Sequence, residues 1–387
     1  MIRGPEVASR DEMESLVELS EVCFPKDRDA GGMLPRWPHC FMSNSTPFVI
    51  RDGGRIVSQV ICVDQSVMVG SKTLRVGGIS GVCTHPDYRG RGFMTKLLRY
   101  AIAYMRTHGF AISDLGGDTQ RYRRFGWENA GRRCVYRITK RSLSATAPPE
   151  GFVALPYEPT QANLTSTLTL HNQEGWGLRR DEALHRALLG RLGKETWLCA
   201  FGDRLECYAV VERSAEYAKI VEVAGSEDGF HFLVQHLCDL GTEALSVSLP
   251  FGHHLSRRAW SLSSGFHISP LRMIRLLNLK ETLEVFADQM AERFSSLGLE
   301  GERRVCLAVR DVGGEQKVSV EFTGESVSVH DRAGSSCKGV VSLSPGSMAA
   351  FLFGPLGPSV VGPLPERAQF IESVLPLDFY LWENEGV

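Results

Sequence analysis

The sequence predicts an α/β protein of the mixed α+β kind: two successive units with a central mixed sheet flanked by helices, then a third α+β unit. Short apolar runs of strand length alternate with segments whose apolar residues recur at helical spacing, and this order occurs twice in the first two thirds of the chain. The 387 residues also exceed what one hydrophobic core usually spans.

The first unit opens with a short strand and a helix, followed by an irregular stretch, residues 24–46, rich in proline, glycine and aromatic residues. Loops of that length are uncommon unless functional, so the stretch is either a gate over a substrate or a connector packed by its own aromatic side chains. Asp52-Gly53-Gly54 then turns a hairpin. The other elements expected here are strands at Leu74–Thr84 and Ala111–Leu115, a helix at 93–107, and a closing strand at Arg133–Thr139.

The small, proline-bearing segment 142–151 is typical of a linker and opens a second unit. That unit is expected to contain helices near 181–192 and 231–239 and strands near 196–200, 206–211, 219–223 and 245–249. Residues 270–279 are expected to cross to the third unit, with helices at 282–294 and 344–353 and short strands between them. The predicted domain bounds are 1–146, 147–278 and 279–387.

The stretch Val76–Gly92 organises the first unit. It begins as a strand that contains Gly77, Gly78 and Gly81, and glycine inside a strand indicates a bulge or a close approach by a ligand. Pro86 ends the strand, and Arg89-Gly90-Arg91-Gly92 leads into a helix. A glycine turn before a helix directs free N–H groups and a positive dipole at one point, and two arginines make that point a predicted pyrophosphate site.

These residues resemble the Arg/Gln-x-x-Gly-x-Gly/Ala hallmark of the GNAT superfamily of acetyl-CoA-dependent acetyltransferases, with Met94 in place of the small last residue. The alternative is an ordinary basic turn between a strand and a helix. The resemblance implies acetyl-CoA as co-substrate, with its pantetheine paired to the strand and its pyrophosphate on the turn. The positions that this implies are Val82, Cys83 and Thr84 on the strand, Arg89, Gly90, Arg91, Gly92, Phe93 and Met94 on the turn, and Gly117 and Asp118 on the opposite side.

Tyr122 is the candidate general acid. It begins a Y-x-x-F-G-aromatic pattern, Tyr122 to Trp127, that resembles the place where GNAT enzymes set the residue facing the thioester. A phenol, with a reference pKa of about 10, can protonate a leaving thiolate, whose reference pKa is about 8.5. The alternative is a tyrosine that packs a turn.

The second unit carries no such arginine–glycine motif, and the third resembles a sterol-carrier-protein-like domain. This combination resembles the enhanced intracellular survival (Eis) family of acetyltransferases. The resemblance implies that the carboxylate of Val387 is the general base and that the protein is a homo-oligomer, with a hexamer as the form the family suggests. The apolar residues Phe379–Trp382 are expected to form a packed strand that holds Val387 in place. The helix at 344–353 either lines a lipid tunnel or is a buried core helix without cargo.

Composition narrows the function classes. The net charge of −2 gives no case for nucleic acid or membrane as the main partner, although residues 85–141 hold thirteen Lys or Arg against four Asp or Glu, which suits a polyanionic ligand. Ten cysteines without a C-x-x-C motif, and the absence of a signal-peptide pattern, indicate a reducing, cytoplasmic setting.

The adjacent histidines His253 and His254 could suggest a metal site. They have no carboxylate or cysteine at ligand spacing in the sequence, so no metal is expected.

The sequence therefore predicts an N-acetyltransferase that moves an acetyl group from acetyl-CoA to a primary amine. Aminoglycoside-like polyamines, protein lysines and small metabolite amines all stay open as acceptors. The alternative from another class is a non-catalytic lipid- or ligand-binding scaffold with a relic cofactor fold.

Overall fold

The structure is a computed structural model that describes residues 1–214, 216–299, 301–324, 326–331 and 339–387. Its strands are β1 Ile2–Val7, β2 Ser45–Asp52, β3 Arg55–Val69, β4 Lys72–Thr84, β5 Ile112–Leu115, β6 Glu128–Ala130, β7 Arg133–Thr139, β8 Phe152–Pro156, β9 Glu195–Phe201, β10 Arg204–Arg213, β11 Tyr217–Gly225, β12 Ala244–Pro250, β13 Ser263–Ser269, β14 Arg272–Leu276, β15 Arg303–Asp311, β16 Gly314–Phe322, β17 Val327–Asp331 and β18 Val340–Leu343. Its α-helices are α1 Met13–Cys23, α2 Pro25–Asp29, α3 Met33–Arg36, α4 Phe93–Thr107, α5 Thr119–Tyr122, α6 Lys140–Leu143, α7 Gln161–Gln173, α8 Glu182–Leu189, α9 Glu227–Asp239, α10 Ser256–Leu262, α11 Leu279–Val285, α12 Ala287–Ser296, α13 Pro345–Phe353, α14 Pro358–Val361 and α15 Ile371–Val374.

The strands form three sheets, and the first two share one plan. The first sheet runs β1-β2-β3-β4-β5-β14-β6, and the second, read in the matching direction, runs β8-β9-β10-β11-β12-β7-β13. Each has one parallel pair at its centre, β4–β5 and β11–β12 respectively, among antiparallel neighbours. The third sheet runs β17-β16-β15-β18. The predicted fold class, a mixed α+β chain with two similar sheets, is confirmed.

The two units exchange a strand. We expected Arg133–Thr139 to close the first sheet, but this strand, β7, lies between β12 and β13 of the second. The stretch 270–279, expected to cross to the third unit, instead supplies β14, which fills the matching place between β5 and β6 of the first. Both predictions were wrong, because a strand pattern shows that a segment pairs but not with which sheet. The bounds 1–146, 147–278 and 279–387 stay a prediction.

Several local expectations need correction. The stretch 24–46 is not a loop: it holds α2, α3 and a 3₁₀ turn at Pro38–Phe41, and Pro25 stands at the start of α2, where its missing N–H costs nothing. The helix expected at 282–294 is two helices, α11 and α12. Helix α13 begins as expected, with the Ser344 side chain accepting a hydrogen bond from the Ser347 N–H.

The C-terminal tail, residues 375–387, is packed as expected but is not a strand. Phe379, Tyr380, Leu381 and Trp382 are each at most 2% exposed, yet they pair with no sheet among the described residues. They fill the core cluster that also contains side chains of the second and third sheets. Side-chain burial, and not a backbone ladder, therefore holds the tail.

The cysteines mostly follow the sequence-based expectation. Eight are free thiols, and all but the half-buried Cys23 are buried. Cys306, in contrast, is disulfide-bonded, which we did not predict. Cys337 lies outside the described residues.

Among the described residues, no helix has both the length and the apolar character needed to cross a membrane.

Candidate active site

The first component of the site is a gap between β4 and β5. The parallel pairing of these strands runs from Val76 and Ile112 to Ile79 and Leu115 and then stops. Strand β4 continues to Thr84, and its register with β3 shifts beside Gly81, whose φ of +57° suits glycine. The glycine inside the strand therefore marks a bulge, as predicted. Among the described residues, the segment 82–84 has no partner strand on the β5 side, so its backbone groups there could pair with an extended ligand.

The second component is the turn that follows. Gly90 and Gly92 have φ of +78° and +74°, and a Cβ placed on either would meet no atom within 4 Å. Gly92 is the N-cap of α4 and offers no side chain to the first N–H groups of the helix. Arg89 and Arg91 are exposed on the same turn. Free amides, a helix N-terminus and two guanidinium groups thus face open space, an arrangement that suits a pyrophosphate.

Helix α4 is fixed beneath this turn by its apolar face. Phe93, Leu97, Leu98, Ala101 and Met105 are buried against the first sheet, as the helical spacing predicted. Met94, the departure from the family hallmark, is half-buried and packs on the same cluster. Its bulk therefore lies against the core and does not fill the space above the turn.

The third component is the opposite wall, formed by Gly117, Asp118 and Tyr122. The Asp118 carboxylate caps the short helix α5 by accepting a hydrogen bond from the Gln120 N–H at 2.9 Å. This cap places Tyr122 one turn later, where it is 7% exposed and lies in the cluster on which Val82 packs. A Cβ on Gly117 would stand 3.5 Å from the Tyr122 ring. Burial raises the pKa of Tyr122 above its ordinary value, so the phenol keeps its proton at neutral pH.

The tail supplies the fourth component, because side chains from elsewhere hold its last four carbonyl groups. The donors come from four different parts of the chain. They are Arg191 to Asn384 O at 2.6 Å, Gln65 to Glu385 O at 3.5 Å, His39 to Gly386 O at 2.9 Å and Arg272 to Val387 O at 3.1 Å. Burial, with Arg191 nearby, lowers the pKa of His39 to about 3, so its ring is neutral and donates from Nε2.

A buried ion cluster, the anchor cluster of Arg180, Glu222 and Glu385, fixes the tail to the second sheet. Arg180 bonds Glu222 through both terminal nitrogens at 2.8 Å and Glu385 at 2.6 Å, and all three side chains are fully buried. The Leu178 N–H also donates to Glu385 at 2.8 Å. Burial alone raises the pKa of Glu222, but pairing with Arg180 more than offsets this, and the pKa lies below its ordinary value. Two carboxylates therefore depend on one cation.

Val387 ends against the centre of the first sheet. A Cβ on Gly78 would come within 2.6 Å of the Val387 side chain, so only glycine leaves room for it there. A Cβ on Gly116 would stand 4.0 Å from Val387 O. Arg272 donates to that oxygen, and its Nε also lies 2.6 Å from a carboxylate oxygen of the buried Asp114. Arg272 and Asp114 form an ion pair without a hydrogen bond, because the N–H does not point at the carboxylate. Gly78 on β4 and Gly116 directly after β5 thus border the end of the tail.

A cavity of about 340 Å³ opens between the end of β5, the wall at Gly117 and the tail. Its wall joins the first unit, the second unit and the tail. The lining residues are Trp37, Leu115, Gly116, Gly117, Asn129, Arg133, Leu271, Arg272, Met273, Leu381, Glu383, Gly386 and Val387. Of the predicted catalytic positions, Val387 lines the cavity directly, while Tyr122 lies behind Gly117.

Sequence reasoning missed Arg272, Arg133, Gln65 and Arg191 as site residues. Each lies in an ordinary-looking strand or helix end far from the motif in sequence. The aromatic stretch 24–46 did give a signal, since Trp37 lines the cavity and His39 holds Gly386. That segment therefore packs on the site.

Within the described residues, the second unit has no equivalent of the turn at 89–92. Its matching helix, α9, is capped by the Ser226 side chain, which accepts from the Gly229 N–H at 3.1 Å. Glu227 and Asp228 occupy its first turn. A capped helix start with two acidic residues is unfavourable for a phosphate group.

The histidine pair does meet a carboxylate, contrary to our sequence-based premise. Glu174 lies 2.9 Å from His253 Nε2 and 3.4 Å from His254 Nδ1. However, the Leu255 N–H donates to His253 Nδ1 at 3.2 Å, so the proton of that neutral ring resides on Nε2, beside Glu174. These three side chains offer possible ligand atoms within 4.8 Å of one another, so the premise was wrong and the absence of a metal stays a prediction.

Comparison with known proteins identifies the fold. Residues 6–130 match the sequence model of an acetyltransferase (GNAT) domain. The first unit has a GNAT fold. No curated protein matches the chain by sequence.

Solved structures extend the GNAT likeness over the whole chain. A probable N-acyltransferase from Enterococcus faecalis is 16% identical with a TM-score of 0.74, covering 98% of this chain and 97% of that one. A GCN5-related N-acetyltransferase from Anabaena variabilis is 16% identical with a TM-score of 0.71, covering 99% of both chains. Eis1 from Mycobacterium abscessus is 14% identical with a TM-score of 0.68, covering 100% of both. At these identities the likeness shows the fold, which is a tandem GNAT arrangement.

We predict that Arg180→Met destabilises the protein, because it leaves Glu222 and Glu385 buried without their cation. Breaking a buried ion pair from one side typically costs about 3–5 kcal/mol. Urea unfolding at neutral pH measures the loss, and Arg186→Met, at an exposed position on α8, is the matched control. Equal stability of the two variants would show that the anchor cluster contributes little.

Proposed function

We propose that the chain is an acetyl-CoA-dependent N-acetyltransferase that acetylates a primary amine. The observation that carries the proposal is that one unit combines the uncapped glycine turn with a β4–β5 pairing that stops at Ile79 and Leu115, and that the segment from Leu115 to Gly117 lines a cavity together with Val387. A pyrophosphate-binding turn next to a sheet gap suits an acyl-CoA, and a carboxylate in the adjoining cavity suits a cationic amine.

The residues present fit acetyl-CoA along its length. Gly90 and Gly92 leave space above the helix start for phosphate oxygens, and Arg89 and Arg91 supply the opposite charge. The backbone of 82–84 offers pairing groups for the pantetheine amides. This path directs the thioester toward Gly117 and Tyr122, beside the cavity.

Two groups transfer protons in the proposed reaction, the Val387 carboxylate and the Tyr122 phenol. The Val387 carboxylate takes a proton from the substrate ammonium, directly or through a water, and the freed amine attacks the thioester carbonyl carbon. A C–N bond forms and the C–S bond breaks, while the Tyr122 phenol donates its proton to the departing thiolate. The nitrogen loses its second proton to the solvent, the phenolate is reprotonated from the solvent, and the Val387 carboxyl group releases its proton to the solvent. The net change is ammonium plus acetyl-CoA to amide, free thiol and one proton.

An α-carboxylate is a weak base, with a reference pKa of about 3.5. Its usefulness as a base in this site therefore comes from the position in which it is held. The four hydrogen bonds on the last carbonyl groups and the contact of Val387 with Gly78 fix it at the cavity wall. Such preorganisation replaces the entropy that a free base would lose.

We extend the proposal to the Eis type, in keeping with the whole-chain likeness to Eis1 from Mycobacterium abscessus. On this proposal the second unit binds no cofactor, and the third is sterol-carrier-protein-like. Assembly as a homo-oligomer, with a hexamer as the family's form, belongs to the same proposal. Helix α13 is almost entirely buried, which suits a core helix better than the wall of an open lipid tunnel.

Acetyl-CoA binding tests the cofactor site. We expect Arg89→Ala to weaken it at least ten-fold, since a hydrogen bond to a charged group typically contributes about 1.5–3 kcal/mol. Calorimetry gives the affinity, and Arg141→Ala, exposed at α6, is the control. Unchanged affinity for the Arg89 variant would move the phosphate site elsewhere.

Turnover tests the general acid. Tyr122→Phe keeps the buried ring and should lower kcat by roughly 10²- to 10⁴-fold, the usual range for general acid–base catalysis, with little change in acetyl-CoA affinity. Because burial raises the pKa of Tyr122, the wild-type rate should also show no descending limb below about pH 10. Thiol release measures both. Full activity in the variant would make Tyr122 a packing residue.

A short extension after Val387 tests the general base. Adding Gly-Ser-Gly displaces the carboxylate from the cavity without altering the buried Phe379–Trp382, so we expect normal folding and a loss of roughly 10²-fold or more in kcat. Val387→Ala keeps the carboxylate, loses only the packing on Gly78 and should retain most of the activity. An extended protein with full turnover would refute the role of this carboxylate.

A further inference from the structure

The charge balance of the cavity restricts the amine that it can accept. Glu383 is the one acidic side chain on its wall within the described residues, and three donors already occupy that carboxylate. Arg133 lies 2.6 Å from it, Ser248 donates to it at 2.9 Å, and Lys219 forms a further ion pair. Glu383 is therefore neutralised and cannot serve as a free counter-ion for a substrate.

The second charged group of the cavity is balanced as well. Arg272 lies between the buried Asp114 and the carboxyl group of Val387. Around the cavity, the cations Arg133, Lys219 and Arg272 thus match the anions Glu383, Asp114 and Val387. A site that recognises a polycation needs an excess of negative charge, and this one has none.

Arg133 also offers a donor to a ligand. Its Nε donates to Ser269 Oγ at 3.0 Å and its Nη1 to Glu383, whereas its Nη2 has no partner in the described part of the chain. The side chain is 23% exposed, at the cavity wall. A guanidinium held on two sides with its third nitrogen open is well suited to bind a carboxylate.

The cavity that Arg133 and Val387 line is small, and apolar side chains form part of its wall. Trp37, Leu115, Leu271, Met273 and Leu381 supply its walls. The volume of about 340 Å³ lies near the lower end of the range of roughly 300–1,000 Å³ that is usual for ligand pockets. The cavity is thus suited to a small molecule with an apolar body and not to an aminoglycoside-sized one.

We propose that the acceptor is a small amino carboxylate with an apolar body, its carboxylate bound by Arg133 and its amine directed at the Val387 carboxylate. The net charge of such a molecule, zero, matches the balanced cavity. Its two ends also match the open donor and the free carboxyl oxygen. This inference rests on the acetyltransferase proposal and narrows its substrate class.

Matched substrates test the inference in the full-length protein. Leucine, phenylalanine and 6-aminohexanoate are each compared with the corresponding carboxamide, and spermidine represents the polycations. We expect kcat/KM, from thiol release, to be at least ten-fold higher for the best carboxylate than for its amide and for spermidine. For the two α-amino acids the comparison is stringent. Their amides contain a larger fraction of unprotonated amine at neutral pH, which by itself would favour acetylation of the amide. A preference for the amides or for spermidine would overturn the inference while leaving the acetyltransferase proposal intact. Absence of thiol release with every amine would contradict both.

Variants of Arg133 test whether this side chain causes the preference for the carboxylate over the carboxamide. Arg133→Gln should abolish it, mainly through KM, and Arg133→Lys should restore part of it. Arg137→Gln, exposed on the same strand, should keep it in full. If Arg133→Gln does not fold, product inhibition of the wild type decides instead: N-acetylleucine should inhibit at least ten-fold more strongly than its amide. An unchanged preference in a folded Arg133→Gln, or equal inhibition by the two products, would exclude Arg133 as the carboxylate site.

Discussion

The pairing of Arg180 with two buried carboxylates is the constraint on which the site depends. One partner, Glu222, belongs to the second sheet, and the other, Glu385, stands two residues before Val387. An ion cluster of this kind is expensive to bury and still more expensive to break, so it fixes the tail in one register. The carboxyl group of Val387 then has little freedom, as its proposed role as a positioned base requires.

The strand exchange places this anchor next to the first sheet. Strand β14 returns from the second unit to β5 and carries Arg272, which holds both Asp114 and Val387. Strand β7 leaves the first unit for the second and carries Arg133 to the opposite wall of the cavity. The two units therefore build one cavity from exchanged strands, and neither unit could form it alone.

The sequence predicted the parts of the site that depend on local chemistry. Positive-φ glycines, two arginines and an apolar helix face lie within 82–107, so local rules suffice to predict the turn and α4. Arg133, Arg272 and the link from Arg180 to Glu385 could not be predicted, because their partners lie more than a hundred residues away in the chain. The strand predicted at the tail was wrong, because Phe379–Trp382 are held by side-chain burial and not by pairing with a sheet. The prediction that no carboxylate lies near the histidine pair was also wrong, because Glu174, at the end of a helix distant in sequence, lies beside His253.

In the proposed mechanism, the Val387 carboxyl group faces the acceptor amine across the thioester. A crystal structure with a bisubstrate analogue, in which coenzyme A is joined through an acetyl bridge to an amine, measures this directly. We expect the amide nitrogen to lie within hydrogen-bond reach of Val387, or one water away, inside the cavity lined by Arg133 and Trp37. An analogue whose amine portion leaves the gap between β4 and β5 on another side, with Val387 remote from the nitrogen, would contradict this mechanism.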